Sequence, residues 1–257
     1  MRRTRRRCGL AAVTLSVAVA AMLGVGPPAG NPIGGAAPAD AASAETAATA
    51  APETARTAAA EAAATAAALP PYSWSIRGID SALAYRMRYS WRSGCPVPRS
   101  DLRYLRMTYV GFDGSAHTGE MVVHRNHATR TVGVFRRLYD SRFPIYRMRL
   151  VDDYRGSDSA SMDADNTSAF NCRKVTGGTA WSQHSYGRAI DLNPVQNPYV
   201  SGQTVEPAAG AAYRTRWPLR KGMVNWTVRD AFADVGWFWG GNWRSPKDYM
   251  HFSSNNH

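Results

Sequence analysis

The chain has 257 residues, with 31 Lys+Arg against 19 Asp+Glu and a formal net charge of +12. It is longer than one ordinary domain, yet its first quarter is too poor in large apolar side chains to form a core. One globular domain of under about 200 residues is therefore expected, and the charge alone excludes little because no nucleic-acid docking motif accompanies it.

Residues 1–7 read "MRRTRRR", and residues 10–25 are apolar and uncharged. A basic stretch ahead of a short apolar run marks a signal peptide, assigned to 1–27. A retained membrane anchor fits less well, because the run is Ala-rich and shorter than the roughly 20 strongly apolar residues of a span. Residues 28–69 are almost entirely Ala, Thr, Pro, Gly and Glu, and are read as a disordered linker. The folded domain is then 70–257, and the expected location is secreted, extracellular and associated with the cell wall. There a basic chain meets anionic cell-wall polymers; nucleic acid is set aside as a partner, and a monomer is expected.

Three cysteines are present, and Cys8 leaves with the signal. Cys95 and Cys172 remain, and in an oxidising compartment they are expected to form one disulfide closing a loop of about 77 residues. A zinc-thiolate site is disfavoured because no C-x-x-C spacing occurs.

Residues 102–125 alternate apolar and polar around Asp113-Gly114, which predicts a β-hairpin. Val132, Phe135, Leu138 and Tyr139 follow at helical spacing, and that helix should stop before Pro144. Residues 146–151 read as a strand. Residues 152–168 are small and polar and predict a long functional loop. Asp163 and Asp165 within it lack the glycine and the distal glutamate of an EF-hand loop, so they carry little calcium signal. Residues 188–193 alternate again and place Asp191 in mid-strand, sharing a face with Ala189 and Asn193. Trp226, Val228, Ala231, Phe232 and Val235 predict a second helix ending near Gly236, and a short strand is expected over 249–253. The tryptophans from Trp217 to Trp243 are assigned mostly to the core, with one or two walling a groove, and His117, His124 and His127 to the surface. Strands and helices come in mixed order without a βαβ repeat, so the fold class is α+β with a small, mainly antiparallel sheet flanked by helices.

"WSQHSYGRAID" sets His184 six residues ahead of Asp191, with Gly187 between them. A catalytic zinc takes three protein ligands and leaves one position open. Gly187 allows the tight reversal that brings His184 and Asp191 together. His251, in "KDYMHF", is the expected third ligand, and Asp248 beside it is placed as general acid/base. Arg173 can offer a fork of donors to a developing oxyanion. Ser182 can hydrogen-bond substrate or orient a ligand.

These residues resemble a known family. "SQHSYGRAID" matches the S-x-H-x-x-G-x-A-x-D signature, and "DYMHF" the closing D-x-x-H motif, of the zinc D-Ala-D-Ala carboxypeptidases and dipeptidases and the L-alanyl-D-glutamate endopeptidases of phage lysins. "RFPI", residues 165–173, "DLNPVQNPYV" and "WFWGGNW" look like its secreted bacterial branch, so the resemblance runs over residues 135–252. It implies a Hedgehog-like fold of the DD-peptidase type and one catalytic zinc on His184, Asp191 and His251. It also implies Asp248 as acid/base and Arg173 as transition-state stabiliser. Many carboxypeptidase relatives carry Glu where Asp248 stands and Trp where Met250 stands, so the chain looks nearer the endopeptidase branch. The expected function is a secreted zinc metallopeptidase cutting peptidoglycan stem peptides at a bond involving D-amino acids. The rival is a non-catalytic wall-binding module with a structural zinc, which would have no need of Asp248.

Overall fold

The computed structural model describes residues 68–257. The signal assignment over 1–27, and the linker assignment up to residue 67, lie outside the described residues.

Strand β1 (Trp74–Arg77) and helix α1 (Ser81–Arg86) come first, each too short to show a period in the sequence. Helix α1 starts where the Asp80 carboxylate accepts the Leu83 N–H at 2.8 Å, satisfying one of the free donors of a helix N-terminus. The predicted hairpin follows as β2 (Leu102–Val110) and β3 (Ala116–His124), paired from Leu102↔His124 to Val110↔Ala116. Gly114 turns the chain at φ +79, and the Asp113 carboxylate accepts the Ser115 N–H at 3.0 Å. Strand β1 adds antiparallel to β2.

Both faces of this hairpin are covered, which is why its alternation matters. Leu105, Met107, Met121 and Val123 point into one cluster, against Val132, Phe135 and Leu138 of helix α2 (Ala128–Asp140). Leu102, Tyr104 and Val122 point the other way, onto Leu83, Met87, Phe170 and Cys172. Each such large side chain, once fully buried, contributes roughly 1.5–3 kcal/mol.

The next stretch departs from expectation. The strand predicted over 146–151 shrinks to β4 (Arg147–Met148), followed by a 3-10 turn over Val151–Tyr154. The predicted loop of 152–168 instead holds that turn, helix α3 (Asp158–Asp163) and strand β5 (Asn166–Thr167), which pairs parallel with β4. Six of its polar side chains are scaffolding rather than solvated surface: Asp152, Ser161, Asp165, Asn166, Thr167 and Ser168 are all buried. Asp152 accepts the N–H groups of Tyr89 and Ser90, each at 2.9 Å, and Asn166 bonds both the N–H and the carbonyl of Arg149. Asp165 accepts the Val195 N–H at 2.9 Å, so this carboxylate is occupied by backbone.

The remaining elements are β6 (Ala189–Asp191), β7 (Tyr199–Ser201), β8 (Thr204–Glu206), helix α4 (Trp226–Ala233), β9 (Phe238–Trp239), β10 (Lys247–Asp248) and β11 (His251–Ser253). They form two further antiparallel sheets, ordered β6-β11-β9 and β10-β7-β8. Among the described residues the architecture is thus α+β with four small sheets, where a single sheet was expected. Asp191 ends its strand instead of sitting in its middle. Asn225 caps α4 by accepting the Val228 N–H at 3.0 Å, and Val228, Ala231 and Phe232 are buried. The tryptophans correct the sequence reading: Trp217 is 80% and Trp226 68% exposed, and of those from Trp217 to Trp243 only Trp237 is fully inside. His127 also differs, with its ring edge-on to Trp237 at 5.4 Å rather than out in solvent.

Candidate metal and catalytic site

The antiparallel pairing of β6 with β11 sets Asp191 directly opposite His251. Residues so paired project from the same face. Strand β6 is fixed from its other side by Ser168, whose N–H and carbonyl exchange bonds with those of Asp191 at 3.0 and 2.9 Å.

His184 arrives on a 3-10 turn, Gln183–Tyr186, capped by Ser182 and closed by Gly187 at φ +64. A Cβ on Gly187 would stand 2.6 Å from the His124 backbone nitrogen, which itself bonds the Gly187 carbonyl at 2.8 Å. Only glycine fits that position, and the hairpin edge thereby anchors the turn that carries His184.

The three side chains converge and are all buried. His184 Nε2 lies 3.1 Å from Asp191 Oδ2 and 3.3 Å from His251 Nδ1, and His251 Nδ1 lies 3.1 Å from Asp191 Oδ1. Zinc bonds of about 2.0–2.1 Å in tetrahedral directions separate neighbouring donor atoms by about 3.3 Å, so this donor set fits one zinc ion. Each imidazole is oriented through its outer nitrogen. His184 Nδ1 bonds the Ala169 carbonyl at 2.5 Å and His251 Nε2 the His257 carbonyl at 2.9 Å. Carbonyls accept only from N–H, so in the neutral imidazole it is the inner nitrogen that would offer its lone pair to a metal.

Electrostatics follow from burial and proximity. Burial opposes the charge on Asp191, but the two histidines beside it prevail and hold its carboxyl well below the usual range. Burial opposes the charge on His251 too; the hydrogen bond and charge of Asp191 outweigh it and push the imidazole up to about 9. Asp248 goes the other way: burial pushes its carboxyl up to about 7, with His251 lowering it and Asp191 raising it. Its Oδ1 is buried without a hydrogen-bond partner. Gly240 makes room for it, since a Cβ there would stand 2.6 Å from the Asp248 carbonyl oxygen.

All of this faces a cleft of about 500 Å3 lined by His184, Asp191, Asp248 and His251, with Arg173 and Ser182 on its wall. Arg173 donates to Asp158 at 2.8 Å and is half-sheltered, while its Nε is buried without a partner. Its backbone is pinned by Ser185, whose Oγ accepts the Arg173 N–H at 2.9 Å and donates to its carbonyl at 2.6 Å. The adjacent Cys172 is bridged to Cys95, with Cα atoms 5.9 Å apart and a sequence separation of 77. Ser182 is buried, and its Oγ accepts the His184 N–H at 3.3 Å, so it braces the histidine turn.

Every residue singled out for chemistry in the sequence thus lines this one cleft. Sequence reasoning missed Asp158, hidden in a segment read as loop; Trp243, whose ring stands 5.5 Å from His251, lies on the cleft wall, as expected of one or two of the tryptophans. It also missed the wall made by β7 and β8, which are three residues each.

Residues 176–254 match the family model described as D-alanyl-D-alanine carboxypeptidase, a span that contains the three donors and Asp248. No curated protein and no solved structure matches the chain.

Proposed function

We propose that the chain is an exported zinc peptidase that cuts peptidoglycan stem peptides at a bond involving a D-amino acid. Three things support this reading: the spacing of the His184, Asp191 and His251 donor atoms, the similarity of residues 176–254 to the D-alanyl-D-alanine carboxypeptidase model, and the signal-like start of the sequence. The Hedgehog-like arrangement of the domain and its wall-associated location belong to the same proposal. Asp248 and Met250 favour endopeptidase over carboxypeptidase action within it.

His184, Asp191 and His251 would hold the ion, which when bound supplies Lewis acidity that polarises a carbonyl and acidifies water. The Asp248 carboxylate takes the proton of the attacking water and delivers it to the leaving amine, so the carboxylate is regenerated at the end of the cycle. In the metal-free fold burial raises this carboxyl to about 7, a direction that favours its holding a proton between the two transfers. The Arg173 guanidinium, held against Asp158, donates to the carbonyl oxygen as negative charge builds there. Ser182 keeps the His184 turn in place.

The observation that carries the proposal is the buried, unpartnered carboxylate oxygen of Asp248 in the same cleft as the three donors. A merely structural metal site gives no reason to leave a carboxylate so placed, because burying it unpaired is costly. The test is to incubate the zinc-loaded protein with defined stem peptides, with and without chelator, and identify products by mass spectrometry. Chelator-sensitive release of D-Ala, or separation at L-Ala-D-Glu, is expected. Bound zinc with no product from any stem peptide would point to the wall-binding module instead.

A further inference from the structure

The β10-β7-β8 sheet forms one wall of the cleft, and its register decides which side chains face in. Asp248 pairs with Tyr199, and Tyr199 with Glu206, so these three form a single row across the strands. Ser201 pairs with Thr204 two positions along, on the same face. Tyr199, Ser201, Thr204, Glu206 and Asp248 all line the cleft, whereas Val200, Val205 and Lys247 do not. The alternation is that of a pleated sheet with one face turned to the cleft.

Glu206 ends this row two strands from Asp248. At about 4.8 Å between strands, its backbone stands about 10 Å from that of Asp248. The other acids of the cleft are accounted for: Asp158 pairs with Arg173, Asp191 with both histidines, and Asp248, part-buried, is the acid/base of the proposed reaction. Glu206 is exposed, and its side-chain carboxylate makes no hydrogen bond or ion pair among the described residues, in a chain whose net charge is +12. Cations are plentiful on this molecule, yet none is set against this carboxylate.

We infer that Glu206 forms a subsite for a primary ammonium group on the substrate, one residue removed from the scissile bond. The inference rests on the peptidase reading of the cleft and names a feature of its substrate. One extended residue covers about 3.4 Å, and a four-carbon side chain bearing an ammonium group supplies the rest of the reach. Tyr199 lies between Asp248 and Glu206 to pack against that side chain, and the Ser201 and Thr204 hydroxyls face the same space. In a stem peptide L-Ala-D-Glu-L-Lys-D-Ala-D-Ala, lysine is one residue away from both the L-Ala-D-Glu bond and the D-Ala-D-Ala bond. Lysine follows the first bond and precedes the second, so a subsite fixed on one side of Asp248 serves one of the two cleavages, and the product identifies which. A free N-terminal ammonium is the other source of the same chemistry.

The experiment measures binding and cleavage separately. Zinc-loaded wild-type protein and E206Q are titrated calorimetrically with this pentapeptide, its Nε-acetyl form and its Nα-acetyl form, and products are followed in parallel. For wild type, Nε-acetylation should weaken binding about fivefold, the scale of a solvent-accessible ion pair, and the loss should shrink in high salt. In E206Q the free and Nε-acetyl peptides should bind equally. Loss on Nα-acetylation instead would overturn the side-chain assignment. Cleavage with no discrimination between free and acetylated peptides removes the subsite and leaves the peptidase reading standing. Glu206-dependent discrimination without any cleavage does the reverse, and absence of both binding and cleavage removes both.

Discussion

Asp248 is the residue on which chemistry and structure meet. Asp248→Asn keeps the shape and removes the proposed proton carrier, so the variant should bind zinc as wild type does while turnover falls at least about 100-fold. Metal content by atomic absorption and initial rates check this, and a variant with full activity would take Asp248 out of the mechanism. His251 gives a second prediction, for the metal-free protein. Its imidazole sits at about 9 in the fold against an ordinary 6.5, so its stabilising contribution is complete below about pH 6.5 and disappears as pH rises through 9. Asp248, raised from 3.8 to about 7, adds a loss between those two values because its charged form is disfavoured in the fold. Thermal melts in chelator should therefore fall from pH 6.5 to 9, and His251→Gln should flatten that limb; a slope that persists in the variant assigns it elsewhere. Zinc must displace the His251 proton, so its affinity should rise over the same interval. At this scale the sequence was informative for His184, Asp191 and His251, because ligand chemistry restricts residue type and Gly187 marks the reversal. Asp158 was hidden because an ion pair between distant segments leaves no local pattern.

Elements differ in how plainly they announce themselves. The nine-residue strands β2 and β3 show alternation because each face meets a different apolar cluster. Residues 152–168 mislead because their polar side chains bond backbone internally, and composition does not distinguish a buried Asn166 from a solvated one. Strands of two or three residues, such as β7, β8 and β10, are shorter than any readable period. Trp226 misleads in its own way, matching the helical spacing of α4 while standing at its first turn in solvent. The supports of the site are predicted to be sensitive at this level. Phe252 is fully buried in β11 and stacks on Phe232 at 3.9 Å, so Phe252→Ala should cost about 3–5 kcal/mol in chemical denaturation. Opening the Cys95–Cys172 bridge, by Cys95→Ser with Cys172→Ser, frees a 77-residue loop. The expected cost is about 4.5 kcal/mol by chain entropy, and denaturation curves unchanged by the double substitution would refute it.

At the scale of the whole molecule, scaffold and site are joined through backbone hydrogen bonds. The hairpin edge holds the His184 turn through the 2.8 Å bond between His124 and Gly187, and Val122 accepts the Phe170 N–H at 3.0 Å ahead of the bridged Cys172. The cleft collects acids and histidines within a chain of strong positive charge, an arrangement suited to holding a cation. A crystal structure of the zinc-loaded protein tests this account most directly. It should show a single ion bound by His184 Nε2, one oxygen of Asp191 and His251 Nδ1, with solvent in the remaining position next to Asp248. A fourth protein ligand in that position, or zinc bound elsewhere with these three side chains turned apart, would contradict it.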